Sequence, residues 1–108
     1  MTDKRVVLTT CASAEEARHI AHELVNRRLA ACVNIVSQVE SMYRWKDEVE
    51  TAAECLLIIK TTAAAFQQLR GVLEGLHSYD VPECISIPID EGSASYLDWI
   101  AGSVDAQK

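Results

Sequence analysis

The sequence predicts a small α+β domain in which two β-α-β units share one antiparallel sheet. Three observations carry this. Apolar residues recur at helical spacing in three segments and at period two in the segments between them. Two of the alternating segments follow each other across a short Lys46-Asp47 break, which is a long central hairpin. Composition agrees: 49% apolar and 24% charged residues describe a folded domain rather than a disordered chain. At 108 residues the chain has room for one domain, read as 1–108.

The β-branched run from Arg5 to Thr10 is the first strand. Ser13-Ala14-Glu15-Glu16 is a capping box, with a hydroxyl to close the first turn and a glutamate three residues on. Ala17, Ile20, Ala21, Leu24 and Val25 form one helical stripe, and Arg27 and Arg28 place cations at the negative end of the helix dipole. From Val33 the odd positions Val33, Ile35, Ser37, Val39, Ser41, Tyr43 and Trp45 alternate with Asn34, Val36, Gln38, Glu40, Met42 and Arg44, giving a second strand with one apolar face. Asp47 tolerates the left-handed geometry of a turn. Alternation resumes from Val49, with Glu48, Glu50 and Glu54 opposite. Cys55 to Ile59 is apolar on both faces, which places this strand in the middle of the sheet.

Thr61 or Thr62 is expected to cap a second helix carrying Phe66, Leu69, Val72, Leu73 and Leu76. After the loop His77–Glu83, Ile85, Ile87 and Ile89 share one side of a fourth strand, and Pro88 sends its end to a sheet edge. Ser93 is expected to cap a last helix with Tyr96, Leu97, Ile100, Ala101 and Val104 inward. The order β-α-β-β-α-β plus a C-terminal helix is the ferredoxin-like arrangement.

This arrangement predicts an oligomer. A second strand of about fifteen residues spans about 50 Å, whereas a compact domain of this length is roughly 34 Å across. No Gly or Pro between Ser37 and Trp45 signals a sharp bend, although a bulge there would supply one. The hairpin tip therefore projects, with Tyr43, Trp45 and Val49 as interface residues, and a closed ring of identical subunits covers it.

The net charge of −6 disfavours nucleic-acid backbones and anionic lipid, so no nucleic-acid or membrane partner is expected. Val6-Val7-Leu8 is too short for a signal peptide and no segment is long enough to cross a bilayer, which points to the cytoplasm. Cys11, Cys32, Cys55 and Cys84 form no C-x-x-C pair and read as small buried hydrophobes. There is no G-x-S-x-G elbow, P-loop or dinucleotide-binding glycine pattern, and no catalytic residue is assigned.

Five segments resemble one family along nearly the whole chain: Arg28-Leu29-Ala30-Ala31-Cys32-Val33-Asn34-Ile35, Ser41-Met42-Tyr43-Arg44-Trp45, Glu54-Cys55-Leu56-Leu57-Ile58-Ile59-Lys60-Thr61, His77-Ser78-Tyr79-Asp80-Val81-Pro82-Glu83 and Tyr96-Leu97-Asp98-Trp99-Ile100. Their order and spacing are similar to the CutA family of divalent-cation tolerance proteins. The resemblance implies a cytoplasmic homotrimer of the ferredoxin-like fold, a role in metal-ion response, and binding of Cu²⁺ or another divalent cation. Departures are visible. Ser78 replaces the family's usual proline, and Lys46-Asp47-Glu48 lacks its turn glycine. The positions of a first-strand cysteine and of the first histidine in a copper site proposed for some members hold Thr9 and Leu76, leaving His77.

Two candidate sites follow. Cys11 and His77 lie toward one end of the predicted sheet and together offer weak Cu²⁺ ligation; the competing reading is a loop histidine beside a half-buried thiol. His19 and His22 sit three apart on helix 1 and read as a solvated face. Trp45, Lys60, His77, Tyr79 and Glu83 form a candidate ligand pocket, with Trp45 arriving on the hairpin tip; the competing reading is an interchain salt bridge of Lys60 with Glu83 or Glu54. The alternative function is a signalling or adaptor trimer resembling the PII regulators, with a small ligand between subunits.

Overall fold

In the computed structural model, which describes residues 1–105 and so leaves the last three residues of the expected 1–108 domain outside, all seven elements occur in the expected order. They are β1 (Lys4–Cys11), α1 (Ala14–Asn26), β2 (Cys32–Trp45), β3 (Glu48–Thr62), α2 (Phe66–Leu76), β4 (Ile85–Pro88) and α3 (Ala94–Ser103). The strands form one antiparallel sheet in the order β2-β3-β1-β4. The fold is thus ferredoxin-like, with β3 central, as its two-sided apolar run requires.

The pleat divides the sheet into two faces. Val7, Cys11, Cys55, Leu57 and Ile59 pack against Ala17, Ile20 and Leu24 of α1 and Leu69 and Leu73 of α2, and these residues make the core. Their sequence neighbours Val6, Leu8, Leu56 and Ile58 point to the second face and are only half-buried. Ile87 and Ile85 pair with Val6 and Leu8 on that face and are about half exposed. β4 is an edge strand, which is where Pro88 belongs.

The α1 capping box is present in altered form. Ser13 Oγ accepts the Glu16 N–H at 3.1 Å, but Glu16 Oε1 accepts from Ala12 N–H rather than from Ser13. The helix ends in a Schellman motif: Leu29 N–H donates to Leu24 O, Arg28 N–H to Val25 O, and Arg28 stands at φ 59. The hairpin turn is a two-residue connection with Lys46 and Asp47 at φ 51 and 66, between the paired residues Trp45 and Glu48.

Three expectations need correction. β2 does not keep one apolar face. Its pairing jumps from Val36↔Leu56 to Val39↔Glu54, so Ser37 and Gln38 together oppose Cys55, and Gln38 adopts φ 62. This bulge turns the odd positions over: Val33 and Ile35 face α1 and α2, whereas Tyr43 and Trp45 pair with Glu50 and Glu48 on the second face. Val49 therefore lies on the opposite face from Tyr43 and Trp45.

The second correction concerns α2. Both threonines remain in β3: Thr61 Oγ1 donates to Leu29 O at 2.6 Å, and Thr62 Oγ1 accepts from Ala65 N–H in the turn before the helix. The α2 N-cap is Ala65, without a side-chain bond. The third concerns α3, where Ile100 alone of the expected stripe is fully buried; Tyr96 and Ala101 are exposed, and Tyr96 stacks on Trp99 at 5.5 Å instead. No helix among the described residues is long and apolar enough to cross a membrane.

Candidate functional site

The bulge and the loop after α2 build a cleft between them on the second face. Because the bulge rotates the far half of β2, Tyr43 and Trp45 stand over the glutamates of β3. The loop after α2 closes the other side with Tyr79, Asp80 and Glu83. The cleft encloses about 630 Å³, and Glu50 and Glu54 line its floor. Its lining holds four carboxylates and three aromatic rings but no Lys, Arg or His. Such a cleft favours cations twice over, through carboxylate charge and through the negative faces of the rings.

Hydrogen bonds to neighbouring elements fix the loop wall. His77 caps α2 through its N–H to Leu73 O, and its side chain is fully buried. The Nε2–H of His77 donates to Thr10 O at 2.8 Å, while Nδ1 accepts from Tyr79 N–H at 3.1 Å. Glu16 Oε2 accepts from Ser78 N–H at 2.7 Å and lies 3.7 Å from His77 Nδ1. The Tyr79 hydroxyl donates to Glu54 Oε2 at 2.6 Å. Burial, and then the bond to Glu54, push the Tyr79 phenol up, so it stays a donor. Burial opposes ionisation of Glu16, but the N–H groups of Ser78 and Ala12 outweigh it and hold its carboxyl below the usual value.

Of the expected pocket residues, Trp45, Tyr79 and Glu83 line this cleft together. His77 stands behind Tyr79, with ring centroids 4.8 Å apart, and buttresses the wall without lining it. Lys60 does not meet them within one chain. It pairs with Val6 and Cys32, ten residues up β3 from Glu50 and so roughly 33 Å away. There its ammonium contacts Asn34 Oδ1 and the Cys32 sulfur. Glu50 was not among the expected pocket residues, and Glu54 entered only as a partner for Lys60, because strict alternation from Val33 put the aromatic residues of β2 on the core face; the bulge that reverses this carries no glycine to announce it.

Cys11 and His77 are near neighbours through Thr10, but their side chains do not fit a metal ion. Both His77 ring nitrogens are committed to protein partners. Burial, and then the charges of Glu16, Cys55 and Glu54, push the Cys11 thiol up to about 12, which keeps it protonated. Thr9 is fully buried with its hydroxyl unpartnered among the described residues. No group of three or more His, Cys, Asp or Glu side chains is arranged to hold a metal ion among the described residues. His19 and His22 are exposed on α1.

A family model described as CutA1 divalent ion tolerance protein matches residues 5–103. The divalent-cation tolerance protein CutA of Thermus thermophilus is 52% identical over 97 residues, covering 90% of this chain and 94% of its own length. The chloroplastic protein CutA of Arabidopsis thaliana is 43% identical over 98 residues, which are 91% of this chain and 54% of that one, so this chain spans about half of its length. Among solved structures, the divalent cation tolerance protein (Cut A1) of Thermus thermophilus superposes with a TM-score of 0.93 at 49% identity, over 94% of this chain and 99% of that one.

Proposed function

Because this chain belongs to the CutA1 divalent ion tolerance family, we propose that it serves divalent-cation tolerance as a single-domain homotrimer that takes Cu²⁺ or another divalent cation weakly in the cleft beside Tyr79. The observation that carries the reading is the cleft lining: Glu50, Glu54, Asp80 and Glu83 with aromatic walls and no opposing cation. Few preorganised ligands converge there, and this favours weak binding over a tight site. The same lack of basic residues disfavours a nucleotide and so the PII-like alternative, whose phosphates need cations.

The trimer is supported by shape and by exposed apolar surface. The molecule extends 44 Å along its long axis, with Tyr43, Trp45 and Val49 exposed at the hairpin. Lys60 joins the cleft only if a neighbouring subunit supplies it. The working place is the cytoplasm, with no membrane or nucleic-acid partner.

Titration calorimetry with Cu²⁺ tests the cleft, with light scattering on the same samples. Wild type is expected to scatter as a trimer and to give heats that persist in His77→Ala and are lost in Glu50→Gln/Glu54→Gln. Heats that survive the double variant but vanish in His77→Ala move the cation to the histidine, and absent heats in wild type remove cation binding altogether.

A further inference from the structure

Beyond the cleft, the core holds a pair of thiols with no part in cation binding. β1 and β3 pair in register from Lys4↔Thr62 to Cys11↔Cys55, so the two cysteines stand directly opposite each other in the last pair of the ladder. Residues so placed have Cα atoms about 4.5 or 5.5 Å apart, according to the kind of pair. Both values fall within the roughly 4.4–6.8 Å that a disulfide spans. Opposed residues also project to the same face, here the core face shared with α1 and α2. Both thiols are free. The other two cysteines lack this geometry, because Cys32 is opposed by Lys60 and Cys84 precedes β4.

We infer that Cys11 and Cys55 form a cross-strand dithiol that a hydroperoxide converts into a disulfide. The two members differ in access. Cys55 retains 6% exposure, whereas Cys11 has none. Cys55 is thus the less enclosed of the two and the one a small peroxide meets first, while burial and neighbouring negative charge keep Cys11 protonated and unreactive toward outside reagents. In the first step the Cys55 sulfur attacks the peroxide O–O bond, giving a sulfenic acid and releasing the alcohol, or water from hydrogen peroxide. In the second step the Cys11 sulfur displaces hydroxide from that sulfenic acid; the thiol proton leaves with it as water, and the S–S bond forms. Each turnover consumes one peroxide, and a thiol reductant restores the pair.

The link is placed to be felt at the cleft. Cys11 follows Thr10, whose carbonyl holds His77, and Cys55 follows Glu54, which holds Tyr79. Joining the two strands at this point pins both anchors of the loop wall. The dithiol acts whether or not the cleft takes a cation.

Fully reduced protein treated with hydrogen peroxide in native buffer, then mapped by non-reducing peptide mass spectrometry, tests the pair. The expected product is a Cys11–Cys55 cross-linked peptide that also forms in Cys32→Ser/Cys84→Ser and is cleaved by dithiothreitol. In Cys55→Ser, Cys11 should remain a free thiol. The inference is overturned if Cys55 runs on to sulfinic acid with Cys11 still reduced. It is equally overturned if the link forms only in urea, or if Cys32 and Cys84 oxidise while Cys11 and Cys55 stay free.

Discussion

Glu16 joins two parts of the molecule that are distant in sequence. One carboxylate oxygen accepts from Ala12 N–H at the start of α1, and the other accepts from Ser78 N–H, 62 positions along the chain. A carboxyl whose folded pKa is depressed contributes stability that is present above its unfolded pKa and is lost as pH falls through the lowered folded value. Glu16 is such a group. The urea midpoint of wild type should therefore fall on the acid side of the carboxylate range. Glu16→Gln should start lower at neutral pH and fall less steeply, and a pH series of urea titrations checks both. The local half of this role was legible in Ser13-Ala14-Glu15-Glu16. The Ser78 bond was not, since no local pattern says which loop will arrive at a helix N-terminus. His77 carries the same lesson. Its residue type suggested a ligand, and only its bonds to Thr10 and Tyr79 show that both ring nitrogens are spent on holding the loop.

The β2 bulge is the element that decides which side chains can meet. A one-residue slip exchanges the two faces of a strand, and the extra residue at Ser37-Gln38 does this halfway along β2. Without it, Tyr43 and Trp45 would share a face with Val33 and Ile35. Gln38 holds a left-handed φ of 62, which costs a non-glycine residue roughly 1–2 kcal/mol. Gln38→Gly is expected to raise the unfolding free energy by up to about 1 kcal/mol. Gln38→Val should lower it by about 1–3 kcal/mol, because a β-branched side chain is worst suited to that conformation. Equilibrium urea unfolding reads both changes. Strand, helix and turn identities were legible from periodicity and from Lys46-Asp47. The bulge was not, because its left-handed residue is a glutamine, and the helical start at Phe66 was not, because Thr61 is drawn to the Leu29 carbonyl instead of capping α2.

For the molecule as a whole, the sheet has one covered face and one partly bare. Val36, Ile85 and Ile87 are each between about two-fifths and half exposed on the second face, in line with half-buried Val6, Leu8, Leu56 and Ile58. Apolar surface of this kind marks contact with another molecule. If a sister subunit covers it, Ile87→Glu should reduce the assembled mass in light scattering while far-UV circular dichroism stays unchanged, since Ile87 is absent from the core on the α1 and α2 side. An unchanged mass would place the subunit contact elsewhere. The sequence by itself determined the element order, the central position of β3, the edge position of β4 and the core stripes of α1 and α2, except for Val25, which was expected inward on α1 and is exposed, because each follows from residue spacing within a few turns of chain. Only the tertiary structure decided that Tyr43 and Trp45 face Glu50 and Glu54, that His77 braces Tyr79, and that Cys11 stands opposite Cys55. Those outcomes depend on strand register and loop docking, which are settled by contacts between segments far apart in the chain.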